Sequence, residues 1–169
     1  LNHIPFADHG ALLDPPTADV SARCLSMLAQ LGYGRDHASV RRVIEFLKAD
    51  QEADGSWFGR WGTNYVYGTW SVLSAFNAIG EDPGAPHIRN AVQWLKARQR
   101  PDGGWGEDGA TYEVGRHTEC KESTPSQTAW AVLALIAAGD TDSESVRRGA
   151  AYLMDAARDE NGGWVEPWY

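Results

Sequence analysis

A helical face, a polar turn and a Gly-x-Trp stop recur three times in this chain, and no other feature constrains its fold as strongly. The copies read Phe46-Leu-Lys-Ala-Asp-Gln51-Glu-Ala-Asp-Gly55-Ser-Trp57, Trp94-Leu-Lys-Ala-Arg-Gln99-Arg-Pro-Asp-Gly103-Gly-Trp105 and Tyr152-Leu-Met-Asp-Ala-Ala-Arg158-Asp-Glu-Asn-Gly162-Gly-Trp164. Each is preceded by a second helical half rich in small and aliphatic residues that ends at glycine: Asp19 to Gly32, Thr69 to Gly80 and Gln127 to Gly139. Glycine is the residue that tolerates the left-handed conformation just past a helix. From that glycine to the repeat tryptophan is 25 residues in every copy. In the third, the agreement conceals a one-residue deletion before Tyr152 and an insertion after it, and the glutamine is replaced at Arg158 or Ala157.

A repeat of this period, built of helix–turn–helix pairs, predicts stacked hairpins whose buried faces form a continuous core. No run alternates with period two for long enough to read as a strand. The expected fold is all-α, an incomplete arc of an α/α toroid or barrel spanning residues 1–169, with repeats at roughly 17–57, 69–105 and 124–164. The glutamines and tryptophans of the turns (Gln51, Trp57, Gln99, Trp105, Trp164) read as staples, the indole covering its own helix pair and the amide bonding backbone at a neighbouring helix N-terminus. The best helix start is Thr124-Pro125-Ser126-Gln127, with the threonine as cap, the proline in the first turn and the glutamine closing a capping box.

Composition narrows the function. Fifteen basic against 23 acidic residues give a formal charge of −8, which argues against a nucleic-acid partner. The longest apolar run, Ala129 to Ala138, is half of what a bilayer span needs, so the segment itself is expected to be soluble. Cys24 and Cys120 lie far apart without a metal-ligand spacing and fit unpaired thiols in a reducing compartment. Leu1 without an initiator Met, and a loop-like opening with no leader, suggest a segment of a longer protein. Aromatic residues are abundant, with eight Trp, six Tyr and four Phe.

The repeat is interrupted in three places. Eleven extra residues fall within 106–122, where Glu107, Asp108, Glu113, His117, Glu119 and Cys120 resemble a metal set but read as a solvated loop. His3, Asp8, His9 and Asp14 in the opening stretch read the same way, and no metal is expected. Trp61, Tyr65 and Tyr67 crowd into seven residues ahead of a buried helix. They are either core aromatics or an aromatic wall on a cavity.

Four further stretches carry a family resemblance: Asn2-His-Ile-Pro-Phe-Ala-Asp8, Asp14-Pro-Pro-Thr-Ala-Asp-Val-Ser-Ala-Arg23, Gly55-Ser-Trp-Phe-Gly-Arg-Trp-Gly-Thr-Asn-Tyr-Val-Tyr-Gly68 and Ser123-Thr-Pro-Ser-Gln-Thr-Ala-Trp130. Together with the Gln-x-x-x-Gly-x-Trp turns, they resemble squalene–hopene cyclase along essentially the whole chain. The resemblance implies a slice of the catalytic α/α barrel of an isomerase that cyclises squalene by acid-initiated cationic polycyclisation to hopene or hopanol. It implies no cofactor, and a parent enzyme that sits monotopically on the cytoplasmic side of the bacterial membrane and draws squalene from it. The family's Asp-x-Asp-Asp acid is absent here, since Asp140-Thr-Asp142 is followed by Ser143. The isolated chain is therefore expected to be inactive.

Carried over position by position, the resemblance makes Asp19 a cavity carboxylate that assists the acid. Arg23 stands where well-known members have a histidine that orients it. One helical turn separates the two, so they are expected to pair, Arg23 taking the orienting role as a permanent cation. Tyr67 matches a tyrosine of the proton-return network, Trp61 a cavity aromatic, and Phe6 with Ala7 the substrate-channel constriction. Two other readings of the toroid are a zinc-dependent protein prenyltransferase β subunit and a carbohydrate-binding module. Helix faces left exposed by a partial barrel would favour a homo-oligomer.

Overall fold

Among the described residues, six helices arise in three hairpins: α1 (Ala18–Gln30) with α2 (Ala38–Ala49), α3 (Tyr65–Ala78) with α4 (Pro86–Arg98), and α5 (Pro125–Ala137) with α6 (Glu144–Asp155). The computed structural model describes residues 15–112 and 119–166. Phe6 and Ala7, with His3, Asp8, His9, Asp14, Glu113 and His117, lie outside the described residues. Helix α1 packs on α3 and α3 on α5, forming an inner layer, while α2, α4 and α6 flank it. The architecture is an incomplete arc of an α/α toroid.

Helix chemistry explains the two layers. In α2 only Val40, Ile44 and Leu47 are buried, the i, i+4, i+7 stripe of a helix with one wet face. Helix α3 buries residues all round, from Tyr65 and Val66 to Ala75 and Phe76, because α1 and α5 cover opposite sides. Among the described residues helix α1 has one such neighbour, α3, and Val20, Met27 and Leu31 are exposed along its other side. Each inner helix ends in a Schellman turn at a positive-φ glycine, Gly32, Gly80 or Gly139. The next residue's N–H reaches back to the carbonyl of Leu28, Phe76 or Leu135.

The stapling role of the turns is visible atom by atom. Trp57 Nε1 donates to Leu47 O at 2.7 Å, Trp105 Nε1 to Leu95 O at 2.8 Å and Trp164 Nε1 to Leu153 O at 3.1 Å. Each acceptor lies in the last turn of its outer helix, where carbonyls lack an intrahelical partner. Gln51 Nε2 donates to Gly55 O and to His87 O, both at 2.8 Å; Gln99 Nε2 repeats this on Gly103 O (2.8 Å) and Ser145 O (2.9 Å). His87 and Ser145 each stand second in the following outer helix, so one amide ties a turn to the next hairpin. In the third copy Arg158 takes the glutamine's place, reaching Gly162 O at 3.2 Å. Among the described residues no further hairpin covers this copy. Trp164 is 42 % exposed where Trp57 and Trp105 are buried.

Three local readings of the sequence need correction. Helix α3 begins at Tyr65, four residues before the repeat boundary, so Tyr65 and Tyr67 belong to its first turn. The insertion carries the antiparallel pair β1 (Trp105–Glu107) and β2 (Glu119–Thr124), together with a 3-10 turn at Gly109–Tyr112. It is too short and irregular to announce itself by alternation. Thr124 does cap α5, accepting from Gln127 N, but the Gln127 side chain does not close a box back onto the cap N–H. It is used elsewhere.

Candidate functional site

The repeat register places the chemistry. Asp19, Tyr67 and Ser126 each stand 13 residues before the glycine that ends their inner helix, and Arg23, Ser71 and Trp130 stand nine before it. Asp19 and Tyr67 thus occupy one repeat position, in the first turns of the neighbouring helices α1 and α3.

Asp19 is fully buried. Its Oδ1 accepts from the Thr17 hydroxyl at 2.6 Å and from Val20 N at 2.9 Å, while Oδ2 accepts from Trp61 N at 2.8 Å. Neutral donors and the α1 N-terminus hold this carboxylate in place. The expected pairing with Arg23 does not form. The exposed Arg23 guanidinium lies over the Trp70 ring, 4.2 Å from its centroid. The i, i+4 spacing permits an ion pair, but Asp19 is already satisfied by hydrogen bonds and the planar guanidinium finds an aromatic face within reach.

Beside it Trp70 and Trp130 stack at 5.7 Å with 13° between their planes, and Tyr67 closes on Trp130 at 5.2 Å. All three rings are half-buried, so an aromatic cluster joins α3 to α5 beside Asp19. The Tyr67 ring also lies flat against the 59–62 backbone: a Cβ on Gly62 would sit 2.6 Å from its Cγ. Glycine is required there for the ring to come so close. Trp61 is 47 % exposed, so it is not a core residue. Its backbone N–H holds Asp19.

The segment read as a solvated loop supplies a second carboxylate. Glu107 accepts from Asn64 N and Val66 N, both at 2.9 Å, and so caps α3 from another repeat. Asn64 cannot cap its own helix because its side chain is engaged, Oδ1 with Gly59 N and Nδ2 with Thr111 Oγ1. Burial raises the Glu107 carboxyl above its ordinary value of 4.5, against the hydrogen bonds from Val66 and Asn64 and the charge of Arg98, which pull it down.

The comparisons with known proteins decide the family. All of residues 1–169 match the family model described as the squalene-hopene cyclase C-terminal domain. The chain belongs to the squalene–hopene cyclase family. It is 62% identical to a squalene-hopene cyclase of Schizosaccharomyces japonicus over 98% of this chain and 25% of that protein. With the squalene–hopene cyclase of Alicyclobacillus acidocaldarius it shares 54% over 99% of this chain and 26% of the relative. A sporulenol synthase of Bacillus subtilis is 44% identical over 87% and 23% of the two chains. The chain therefore spans about a quarter of the length of the curated relatives it matches. Among solved structures, ent-copalyl diphosphate synthase from Streptomyces platensis superposes with a TM-score of 0.66 at 23% identity, over 91% of this chain and 29% of that one. At that identity the likeness establishes the toroid fold alone. Membership of the cyclase family displaces the prenyltransferase and carbohydrate-module readings. No helix among the described residues is long and apolar enough to cross a membrane.

Sequence reasoning passed over Glu107, Gln127, Trp70 and Tyr112 as site residues. For Trp70 a signal existed, a large aromatic within an inner half otherwise rich in small residues. Glu107 and Gln127 gave none, because their partners lie in other repeats.

Proposed function

We propose that this chain is the part of a squalene–hopene cyclase that builds one wall of its catalytic cavity, within a parent enzyme that cyclises squalene to hopene or hopanol. The observation that carries the reading is the meeting of a fully buried, hydrogen-bonded carboxylate, Asp19, with the cluster Tyr67, Trp70 and Trp130 at the same end of adjacent inner helices.

The reaction needs both. Protonating an unactivated alkene requires a carboxylic acid kept acidic by hydrogen-bonded partners in a site closed to water. The cations that follow are stabilised by aromatic faces, which attract positive charge without trapping it. Asp19 supports the acid that the family carries on Asp-x-Asp-Asp, absent here, and Tyr67 returns the proton. Arg23 orients that acid not through Asp19 but from its seat on Trp70, where its N–H donors can fork onto a carboxylate supplied by the rest of the enzyme. Trp61, Phe6 and Ala7 are assigned to the substrate path, residues 1–169 to one partial barrel domain, and the parent to the membrane surface from which squalene is drawn.

The test is turnover of squalene by the full-length enzyme, with products separated by gas chromatography. Asp19→Asn is expected to lower kcat by about 100-fold or more, in the range that removal of an acid–base group costs. The isolated 169-residue chain is expected to convert nothing. Turnover by that chain, or full activity of Asp19→Asn, would overturn the reading.

A further inference from the structure

The side chain of Gln127 is buried and fully engaged across repeats. Its Oε1 accepts from Glu107 N at 2.6 Å and from the Thr124 hydroxyl at 3.1 Å. Its Nε2 donates to Glu107 O at 2.9 Å and to Thr63 O at 3.0 Å. One amide thus pins both backbone groups of Glu107 and the loop that precedes α3, from a seat in the first turn of α5. Pinned this way, the Glu107 carboxylate is aimed at Asn64 N and Val66 N. The loop it secures carries Trp61, whose N–H holds Asp19, and the helix it caps carries Tyr67. Tyr112, from the same insertion, completes the clamp with its hydroxyl 2.8 Å from the carbonyls of both Gly59 and Gly62.

Among the described residues, the side chains of this clamp bond to backbone and to one another, not to the groups assigned to the substrate path. Helices α1 and α3 pack on each other, and the loop that ties Asp19 to the start of α3 through Trp61 N is itself held by these cross-repeat bonds. We propose that Gln127 is a positioning residue of the cyclase, acting through Glu107 and Thr63 to fix Asp19, Trp61 and Tyr67 relative to one another. The proposal rests on the reading of this chain as a cavity wall. It also gives the insertion a purpose: it reaches back one repeat to lock the loop beside the acid-assisting carboxylate. An amide suits the task because it offers a donor and an acceptor side by side, matching the paired N–H and C=O of Glu107.

The full-length enzyme is the test object, with Gln127→Met, which keeps length and volume but has no amide, and the milder Glu107→Gln. For Gln127→Met, kcat on squalene is expected to fall by about 10- to 100-fold, the scale of a sub-ångström to 1 Å misplacement. KM stays within about threefold because the substrate-facing groups remain. Glu107→Gln is expected to show the same split with a smaller fall, since both N–H groups converge on one oxygen, whose place a neutral amide oxygen can take at the loss of the charge. Hydrogen exchange read by mass spectrometry supplies an arm independent of turnover. Peptides covering 58–68 should exchange about tenfold faster in Gln127→Met while those of α2 keep their rate. Unchanged exchange in 58–68, or kcat within twofold of the parent, overturns the proposal. So does a fall in thermal midpoint with no split between kcat and KM, which is what a merely structural glutamine would give. If the unsubstituted enzyme does not turn over squalene, the functional reading fails and the exchange arm still decides whether the clamp exists. Should Gln127→Met fail to accumulate, Glu107→Gln carries both measurements.

Discussion

Replacing a helical glycine by alanine ordinarily stabilises, which makes Gly68→Ala a sharp test of how the inner layer is built. Gly68 lies in the first turn of α3, its N–H bonded to Asn64 O at 2.9 Å. On helix propensity alone alanine would gain about 1 kcal/mol. The structure predicts the opposite sign. A Cβ at this position would stand 2.3 Å from Trp57 O, 2.8 Å from Gly59 N and 2.8 Å from Phe58 C. All three are backbone atoms of the preceding turn, so no side-chain rotation can relieve them. Ordinary contact distances require Trp57 O to retreat by about 1 Å. That movement strains the 3.1 Å bond from Trp57 N to Thr69 Oγ1 and the 2.7 Å bond from its indole to Leu47 O. Overpacking costs about 1–3 kcal/mol and one weakened hydrogen bond about 1 kcal/mol. After the helical gain is subtracted, a net loss of about 2 kcal/mol is expected. Gly149→Ala is the comparison, because its Cβ would meet side-chain atoms of Val132 at 2.5 Å and Trp105 at 2.9 Å, which can yield in part. Urea unfolding of the 169-residue chain followed by circular dichroism should place the Gly68→Ala midpoint about 1 M below the parent, with Gly149→Ala between them. A Gly68→Ala midpoint at or above the parent's would refute the packing argument.

Other perturbations separate the three repeats. Gln51→Leu removes the amide's bonds to Gly55 O and His87 O, and Gln99→Leu those to Gly103 O and Ser145 O with the one accepted from Arg148; each should cost about 1–3 kcal/mol in the same unfolding assay. Arg158→Ala, at the matching exposed position, should cost less than about 0.5 kcal/mol. Trp105→Phe leaves Leu95 O without its donor in a buried site, and its thermal midpoint should drop well below that of Trp164→Phe, whose ring is already half in water. The outer face carries an acid-sensitive cluster, with Glu81 bound by Arg35 at 2.5 Å and Lys48 at 2.8 Å and His87 3.6 Å away. Burial would raise the Glu81 carboxyl, but the hydrogen bond and charge of Lys48 and the charges of Arg35 and His87 outweigh it and leave it below 4.5. Burial, then Lys48, lowers His87 below 6.5. Both groups bind fewer protons folded than unfolded, so their contribution is complete above pH 6.5, and it is lost as pH falls through the depressed folded values. Glu81→Gln should flatten the carboxylate part of that loss, below pH 4.5, in thermal midpoints recorded against pH; a curve parallel to the parent's would count against the assignment.

The hairpin order, the helix ends and the stapling tryptophans were legible in the sequence because each is a local matter. A glycine after an apolar helix marks its own end, and the Gly32–Gly55, Gly80–Gly103 and Gly139–Gly162 intervals are all 23 residues. The loss of the glutamine in the third copy was visible in the same register, and the structure puts Arg158 rather than Ala157 in its place. The site was legible only in part. Family resemblance picked Asp19 and Tyr67, which share one repeat position. Sequence reading paired Arg23 with Asp19, a contact the structure lacks, because helical spacing states which residues can meet but not which competing partner is better. It also read Glu107 as solvated, since a polar insertion looks the same whether it faces water or caps a distant helix.

The sequence by itself thus determined the repeating hairpin, its period and the all-helical arc, since these follow from backbone preference and the 3.6-residue spacing of apolar side chains. Tertiary structure alone decided where the freed donors and acceptors go. Gln51 and Gln99 find the next hairpin, Glu107 the N-terminus of α3, Gln127 the insertion, and the Arg23 guanidinium the face of Trp70. These bonds join residues about 20 to 65 positions apart or bridge adjacent repeats. Buried polar groups take whichever partner the packed neighbours bring within reach, and no local pattern in the chain records that choice.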